Sequence, residues 1–290
     1  MAEPRLVDGR ADLLGLLRAP SGAGAVALVP TMGALHDGHA TLIRTARAAT
    51  AGPLVVSVFV NPTQFAPGED LDRYPRTLPA DLEVCAAAGA DIVFAPSVEE
   101  MYPAGVSEDA VTVDPGPLGT ILEGASRPTH FRGVLSVVAK LFGLVRPDLA
   151  FFGEKDYQQL TLIRRMAADL CLGVDVRGVE TVRDPDGLAL SSRNQYLTDD
   201  DRRVALALSR ALRAAQERAS YGTPAARWAA MKVLTAEPGL DLDYLALRGA
   251  DLSELPDYPE TTGRVLVAAR VGKTRLIDNM PIEFTTRGGA

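Results

Sequence analysis

The sequence predicts an α/β protein: a doubly wound, Rossmann-like parallel sheet that is followed by a smaller α+β domain. Short apolar runs of strand length alternate with helical patterns through the first two-thirds of the chain, which is typical of a sheet covered on both faces. After about Pro185 the alternation ends, and two helices precede consecutive strands. We therefore expect a nucleotide-binding domain over residues 1–184 and a lid domain over residues 185–290.

Four apolar runs predict the strands of the parallel sheet. They are Ala25 to Pro30, Leu54 to Val60, Asp91 to Pro96 and Asp148 to Gly153. The segments between them repeat apolar residues at three- and four-residue steps, as helices packed on one face do. The predicted helices are His39 to Thr50, Pro79 to Ala88, Val134 to Val145 and Tyr157 to Cys171. Ligands of such a sheet bind beyond the carboxyl ends of its strands, so function is expected in the loops that follow them.

The last third of the chain predicts the smaller domain. Thr198 precedes three acidic residues and a long Ala/Leu/Arg segment, which is the pattern of a capped helix, and a second helix is predicted around Trp228. Two or three strands are then predicted to close the chain, at Leu242 to Arg248, Arg264 to Val271 and Thr274 to Asp278.

The composition indicates an ordinary globular protein. Of 290 residues, 47% are hydrophobic and 23% are charged, which allows a sizeable core. The formal net charge of -7 gives no general attraction to polyanions, so we expect neither nucleic acid nor an anionic membrane as a partner. The first ten residues lack an apolar core, and every long apolar run is interrupted; we therefore expect a cytoplasmic protein. Cys85 and Cys171 are expected to be buried free thiols.

The segment PTMGALHDGH, Pro30 to His39, lies where the first predicted strand ends and the first helix begins. Gly33 and Gly38 allow the backbone to approach a ligand, and a helix N-terminus favours phosphate. His36 and His39 could donate to phosphoryl oxygens as charge builds in a transition state. The same histidines with Asp37 could instead bind a metal, or lie on the surface without a role.

Two further segments combine a strand end with groups that bind anions. In FFGEKDYQQL, Phe151 to Leu160, Lys155 can neutralise phosphate, while Asp156 can cap the helix or accept from a ribose hydroxyl. In GLALSSRN, Gly187 to Asn194, small hydroxyls beside Arg193 predict a flexible anion clamp, although a solvated turn with a helix cap gives the same pattern.

The loops FVNPTQF and RPTHFRGV add polar side chains that are not motifs by themselves. The first carries Asn61 and Gln64, and the second carries Arg127 and His130. Both have the composition of binding loops.

These segments together resemble the pantothenate synthetase family. PTMGALHDGH, FVNPTQF, YPRT, RPTHFRGV, FGEKDYQQL, GLALSSRN and KTRLIDN occur here in the family's order. That family belongs to the nucleotidyltransferases with a His-x-Gly-His signature, which here is His36-Asp37-Gly38-His39. The loop Ala66 to Asp72 carries none of the matched motifs.

The resemblance implies an ATP-dependent ligase that forms pantothenate from pantoate and β-alanine through pantoyl adenylate, with AMP and pyrophosphate as the other products. Mg²⁺ would accompany the triphosphate, no protein metal ligand is implied, and members are usually homodimers. Two rivals remain: transfer of a nucleotide to a phosphorylated substrate, and nucleotide sensing without catalysis.

The family's residue roles carry over onto matching positions. The implied ATP contacts are Met32, Gly33, Ala34, Leu35, His36, Asp37, Gly38, His39, Gly153, Glu154, Lys155, Asp156, Val182, Leu190, Ser191, Ser192 and Arg193. The implied catalytic residues are His36, His39, Lys155, Ser191, Ser192 and Arg193, with His36 the usual proton donor. The implied substrate contacts are Asn61, Gln64, Arg127, His130 and Gln159, of which the two glutamines bind pantoate.

Overall fold

The computed structural model describes residues 3–18, 24–66, 68–107 and 109–284, which divide into two compact units. The first unit contains the described residues up to Glu154 together with Gln159–Glu180. The second contains Lys155–Gln158 and the described residues from Thr181 onward. The short segment Lys155–Gln158 thus belongs to the second unit although the chain around it belongs to the first. The main passage to the second unit occurs at Thr181, four residues before the boundary that the sequence suggests.

A parallel sheet forms the centre of the first unit. Its strands are β1 (Arg5–Val7), β2 (Ala27–Thr31), β3 (Leu54–Val58), β4 (Ile92–Phe94), β5 (Leu149–Gly153) and β6 (Asp175–Val179). Among the described residues they are ordered β1-β4-β3-β2-β5-β6, with every neighbouring pair parallel. The strand order reverses between β2 and β5, which is where an open α/β sheet forms its binding crevice.

Seven helices of the described chain begin in this part of the sequence. They are α1 (Arg10–Arg18), α2 (Asp37–Ala49), α3 (Leu78–Ala88), α4 (Val98–Met101), α5 (Glu123–Ser126), α6 (His130–Val145) and α7 (Tyr157–Asp169). Short 3-10 helices occur at Pro62–Gln64, Asp70–Arg73, Pro117–Thr120 and Glu154–Asp156. The apolar sides of α2 and α3 pack with the central strands in one cluster that includes Ile43, Val56 and Phe151. This burial fixes the loops at the strand ends.

The second unit is an α+β arrangement with its own core. Its elements are α8 (Asp199–Arg218), α9 (Thr223–Thr235), β7 (Leu240–Gly249), β8 (Thr262–Val271) and β9 (Thr274–Glu283), with 3-10 helices at Ser192–Tyr196 and Ala219–Tyr221. The three strands form an antiparallel sheet in the order β7-β8-β9. Leu212 of α8 and Val265 and Val267 of β8 belong to its core.

The predicted fold class is confirmed, and several details differ from the prediction. The sequence analysis missed β1 and β6. Helix α6 begins at His130 and not at Val134, and α7 ends at Asp169, before the predicted end at Cys171. In the described part of the chain, no helix is long and apolar enough to cross a membrane.

The two cysteines have different environments, and the prediction that both are buried is wrong for one of them. Cys85 is buried within α3, where burial and the neighbouring Asp81 carboxylate raise the pKa of its thiol to about 12. Cys171 is free but exposed, because it lies in the turn after α7 with a left-handed backbone (φ 53).

Candidate active site

The first motif forms the loop between β2 and α2, and its two histidines cap the helix together. The Gly38 N–H donates to His36 Nδ1 (3.1 Å), and the His36 N–H donates to His39 Nδ1 (3.3 Å). This is a capping box, in which the side chains at the N-cap and at the third helical position satisfy backbone donors reciprocally. The two imidazole centroids are 4.1 Å apart.

The capping contacts determine where each imidazole carries its proton. A ring nitrogen that accepts a hydrogen bond has no proton, so the neutral forms of His36 and His39 both carry it on Nε2. Each neutral ring is therefore a hydrogen-bond donor through Nε2. The cap therefore uses Nδ1 of each ring, and Nε2 is the nitrogen that carries a proton for donation.

Asp81 of α3 fixes the backbone that precedes these histidines. Its carboxylate, 1% exposed, accepts from Leu35 N–H (2.8 Å) and Ala34 N–H (3.2 Å). Gly33 and Ala34 have φ values of 83° and 52°, a left-handed conformation that costs a non-glycine residue about 1 kcal/mol. A Cβ on Gly33 would lie 3.0 Å from an Asp81 oxygen, so the position requires glycine. The sequence analysis missed Asp81, since an acid in a first helical turn has an ordinary role there.

The loop after β3 places Gln64 beside the first motif. Gln64 Nε2 lies 2.7 Å from Met32 Sδ, and Gln64 Oε1 accepts from Asn61 Nδ2 (3.2 Å). Asn61 is buried and also donates to Gly133 O, while Tyr102 O–H donates to its Oδ1 (2.7 Å). Burial raises the pKa of Tyr102 despite its hydrogen bond with Thr63, so the phenol remains a donor. Asn61 thus supports the turn and Gln64.

Arg127 and His130 hold the backbone of Gln64. Its carbonyl oxygen accepts from Arg127 (3.2 Å) and lies 2.9 Å from His130 Nδ1, which must be the donor. His130 Nε2 then accepts from Arg127 (3.1 Å). Arg127 also binds Glu69 through two hydrogen bonds of 2.8 and 2.6 Å. Glu69 belongs to the loop that carries no matched motif, and no local pattern predicts its pairing with Arg127.

Glu69 is a partly buried anion that Arg127 stabilises. Burial raises the pKa of Glu69, but the hydrogen bond and charge of Arg127 outweigh it. The net pKa therefore lies below the ordinary value of 4.5.

The remaining predicted site residues are divided between the two units. In the first unit, Gly153 ends β5, Glu154 begins the 3-10 helix that follows, and Gln159 is half-buried on α7. Lys155, Asp156, Val182 and Leu190 to Arg193 belong to the second unit.

The clamp segment of the second unit follows a small hairpin. Arg183 and Ala189 form a β-bridge, and Leu190 N–H donates to Val182 O (2.9 Å), so the Val182 carbonyl has a backbone partner. Ser191 Oγ then caps the Ser192–Tyr196 helix by accepting from Arg193 N–H (3.3 Å). The predicted cap therefore forms, and it leaves the proposed phosphate role of these residues open.

A metal site built by the protein finds no support in the described residues, where no three His, Cys, Asp or Glu side chains form a suitable group. His36, Asp37 and His39 are not such a group, because both Nδ1 atoms serve as caps.

The parallel sheet and the loop between β2 and α2 define the general class of the protein: a doubly wound α/β protein with polar groups at its topological switch point. The sequence profile described as pantoate–β-alanine ligase matches residues 9–281. The chain belongs to that family.

Individual relatives agree over nearly the full length. A pantothenate synthetase of Nocardioides sp. is 63% identical, covering 99% of this chain and 88% of that protein. The crystal structure of pantothenate synthetase from Thermus thermophilus has a TM-score of 0.89 at 48% identity, covering 97% of this chain and 99% of that one. A pantoate–β-alanine ligase from Francisella tularensis, complexed with β-γ ATP and β-alanine, has a TM-score of 0.79 at 34% identity, covering 96% and 97%.

Proposed function

We propose that this chain catalyses the ATP-dependent condensation of pantoate with β-alanine to give pantothenate, AMP and pyrophosphate. The observation that carries the proposal is the family match over residues 9–281, combined with two histidines held as Nε2–H donors at a helix N-terminus. Such a terminus binds phosphate through its backbone N–H groups and its dipole.

The proposed reaction has two steps, and the atoms balance in each. A pantoate carboxylate oxygen attacks the α-phosphorus of ATP, so that a new O–P bond forms and the bond to the β-phosphate breaks. Pyrophosphate leaves, and pantoyl adenylate remains. The β-alanine nitrogen then attacks the acyl carbon and forms the C–N bond. The bond between that carbon and the bridging oxygen breaks, AMP leaves with this oxygen, and the nitrogen loses a proton. Neither step requires a covalent enzyme intermediate.

We assign the first step to groups that stabilise charge on the phosphates. His36 and His39 donate through Nε2, and Lys155 supplies a positive charge. Ser191, Ser192 and Arg193 hold the departing pyrophosphate as an anion clamp. Mg²⁺ enters with ATP as part of the substrate and binds through phosphate oxygens.

We assign pantoate to the two glutamines, Gln64 and Gln159. The hydrogen bonds that fix Gln64 support this role, because a side chain held by Asn61 and a backbone held by Arg127 and His130 present the amide in one orientation. Asn61, Arg127 and His130 thus act on pantoate through Gln64. Neutral amides can hold the hydroxyls and carboxylate of pantoate while leaving that carboxylate nucleophilic.

A cytoplasmic location and a homodimer complete the proposal. Both cysteines of the chain are free, which agrees with a reducing compartment. We propose a homodimer because members of the family are usually homodimers. The mass of the native protein in solution tests this proposal.

Release of pyrophosphate from ATP and pantoate, without β-alanine, tests the adenylate step. We expect release with pantoate and much less with other hydroxy acids. A nucleotide-sensing protein would release none, and a nucleotidyltransferase acting on a phosphorylated substrate would require that substrate. His36→Ala should lose on the order of 3 kcal/mol of transition-state stabilisation, like a lost oxyanion donor.

A further inference from the structure

The KTRLIDN segment matches the family but has no role in the proposed reaction. From Thr274 onward it lies on β9, where Asp278 and Asn279 are consecutive and each only 4% exposed. Successive residues of a strand point to opposite faces, so these two serve different neighbours. Asp278 shares its face with the buried apolar residues Leu276 and Met280. A carboxylate in such surroundings is costly unless it is paired, and an ion pair gives little net stability there.

Asp278 is paired with Arg183 of the hairpin that precedes the clamp. Its two oxygens accept from the two terminal nitrogens of Arg183 at 2.7 and 2.8 Å, a bidentate contact. The same guanidinium donates to Gly187 O and Asn279 O, both at 3.2 Å. Arg183 therefore fixes both sides of the hairpin to β9. The clamp begins at Leu190, next to the Ala189 that bridges to Arg183.

Asn279 contacts the other catalytic segment of this unit. Its Nδ2 donates to the carbonyl oxygen of Lys155 at 2.8 Å. Two residues further on, Tyr157 O–H donates to Ala250 O (2.8 Å), and the Arg264 guanidinium lies 3.9 Å from the Tyr157 ring centroid. The four-residue stretch Lys155–Gln158 is thus attached to the second unit at its beginning and its middle, and Asn279 supplies the contact at Lys155 itself.

We propose that Asp278 and Asn279 are positioning residues for the adenylation step. Asn279 sets the backbone of Lys155, and Asp278, through Arg183, sets the hairpin from which the Leu190–Arg193 clamp extends. Strand β9 thereby fixes the position of the Lys155 backbone relative to the Leu190–Arg193 clamp. This inference rests on the proposed function, because it gives a role to residues whose partners act in that reaction.

The test is a double-mutant cycle on pyrophosphate release. Asn279→Ala should lower kcat about tenfold or more with a smaller change in the KM for ATP, because small displacements of a catalytic group cost large factors in rate. In a Lys155→Ala background the same substitution should change the rate less than about twofold, since its effect passes through Lys155. Asp278→Asn should likewise lose most of its effect in an Arg193→Ala background.

A matched control separates positioning from stability. Asp243 accepts from Arg275 of the same strand β9 at 2.9 and 2.6 Å, in an ion pair within the same unit. Asp243→Asn should lower the melting temperature without lowering kcat. Thermal unfolding is measured for every variant. Asn279→Leu, which keeps a similar volume but removes the donor and adds no charge, is used where alanine reduces the folded fraction.

The outcomes separate the two levels of the proposal. If the unchanged protein releases pyrophosphate but Asn279→Ala has the same effect with and without Lys155, or has none, the positioning role is wrong and the function stands. If the unchanged protein releases no pyrophosphate from ATP and pantoate, the function and the inference fall together.

Discussion

Two histidines cap the N-terminus of α2, a position at which serine, threonine, aspartate and asparagine are the preferred residues. Because His36 caps through Nδ1, its structural and proposed chemical functions reside on different nitrogens of one ring. A substitution can therefore remove one function and keep the other.

Asn in place of His36 separates these functions, because asparagine is among the best N-cap residues but cannot reach as far as Nε2. His36→Asn should keep the melting temperature close to that of the unchanged protein while slowing pyrophosphate release about 100-fold or more. His36→Ala should slow it similarly and also lose about 1 kcal/mol of stability. Equal activity of His36→Asn and the unchanged protein would contradict the assigned role.

Asp81 gives a second prediction at this scale. Asp81→Asn replaces one acceptor oxygen by a donor that faces backbone N–H groups, so it should cost about 1–3 kcal/mol of stability and also slow pyrophosphate release. Asp91→Asn is the control: Asp91 accepts from Leu54 N–H and Arg47, away from the first motif. That variant should lose stability but not rate per folded molecule. A loss of rate in both, or in neither, would show that Asp81 is only structural.

Close packing between elements explains one glycine of the RPTHFRGV segment. A Cβ on Gly133 of α6 would lie 2.2 Å from the carbonyl oxygen of Thr63, in the turn that carries Gln64. Gly133→Ala should therefore displace that turn and raise the KM for pantoate, in addition to lowering stability.

Gly143 is the matched control in the same helix, because a Cβ there would meet nothing within 4 Å. Gly143→Ala should stabilise the protein by roughly 0.5–1 kcal/mol without changing the KM for pantoate. An unchanged KM in Gly133→Ala would mean that the turn tolerates the displacement.

The loop that carries Glu69 predicts a dependence on pH. The folded pKa of Glu69 is lowered, so its stabilising effect is complete above the ordinary value of 4.5 and is lost as the pH falls through the lowered value. The unchanged protein should be more stable than Glu69→Gln near neutral pH, and the difference should shrink in acid. Urea unfolding of both proteins over an acidic series measures this. Glu254→Gln, at an exposed partner of Arg248, should show little difference at any pH.

Within the parallel sheet, the strands that the sequence predicts are those that are buried on both faces. Strands β2, β3, β4 and β5 are continuous apolar runs, whereas the edge strands β1 and β6 expose much of their length and have no such signal. The first motif and the Gln64 loop were predictable because each directly follows a strand. The contacts of Asp81 with Ala34, of Glu69 with Arg127 and of Asn279 with Lys155 join residues 47 to 124 positions apart, and local pattern carries no information about such pairs.

At the scale of the whole molecule, each unit has its own apolar core. Leu212→Ala, at a fully buried site in the second, should cost about 2–5 kcal/mol. We expect the loss to appear chiefly as faster amide exchange in β7, β8 and β9, with smaller changes in β2 and β5. Ile43→Ala in the first core should give the reverse pattern. Equal changes in both units for either variant would show that they unfold as one.

The chain passes between its two units at residues 154–155, 158–159 and 180–181, because Lys155–Gln158 belongs with the later part of the sequence. No single genetic crossover can therefore exchange one unit whole. A recombination event between codons 159 and 180 would join the ammonium of one parent to the Asn279 of another. Asn279 donates to the backbone carbonyl oxygen of Lys155, so such a hybrid keeps this contact whichever residue the first parent has at position 155, provided that the second parent has an amide donor at position 279.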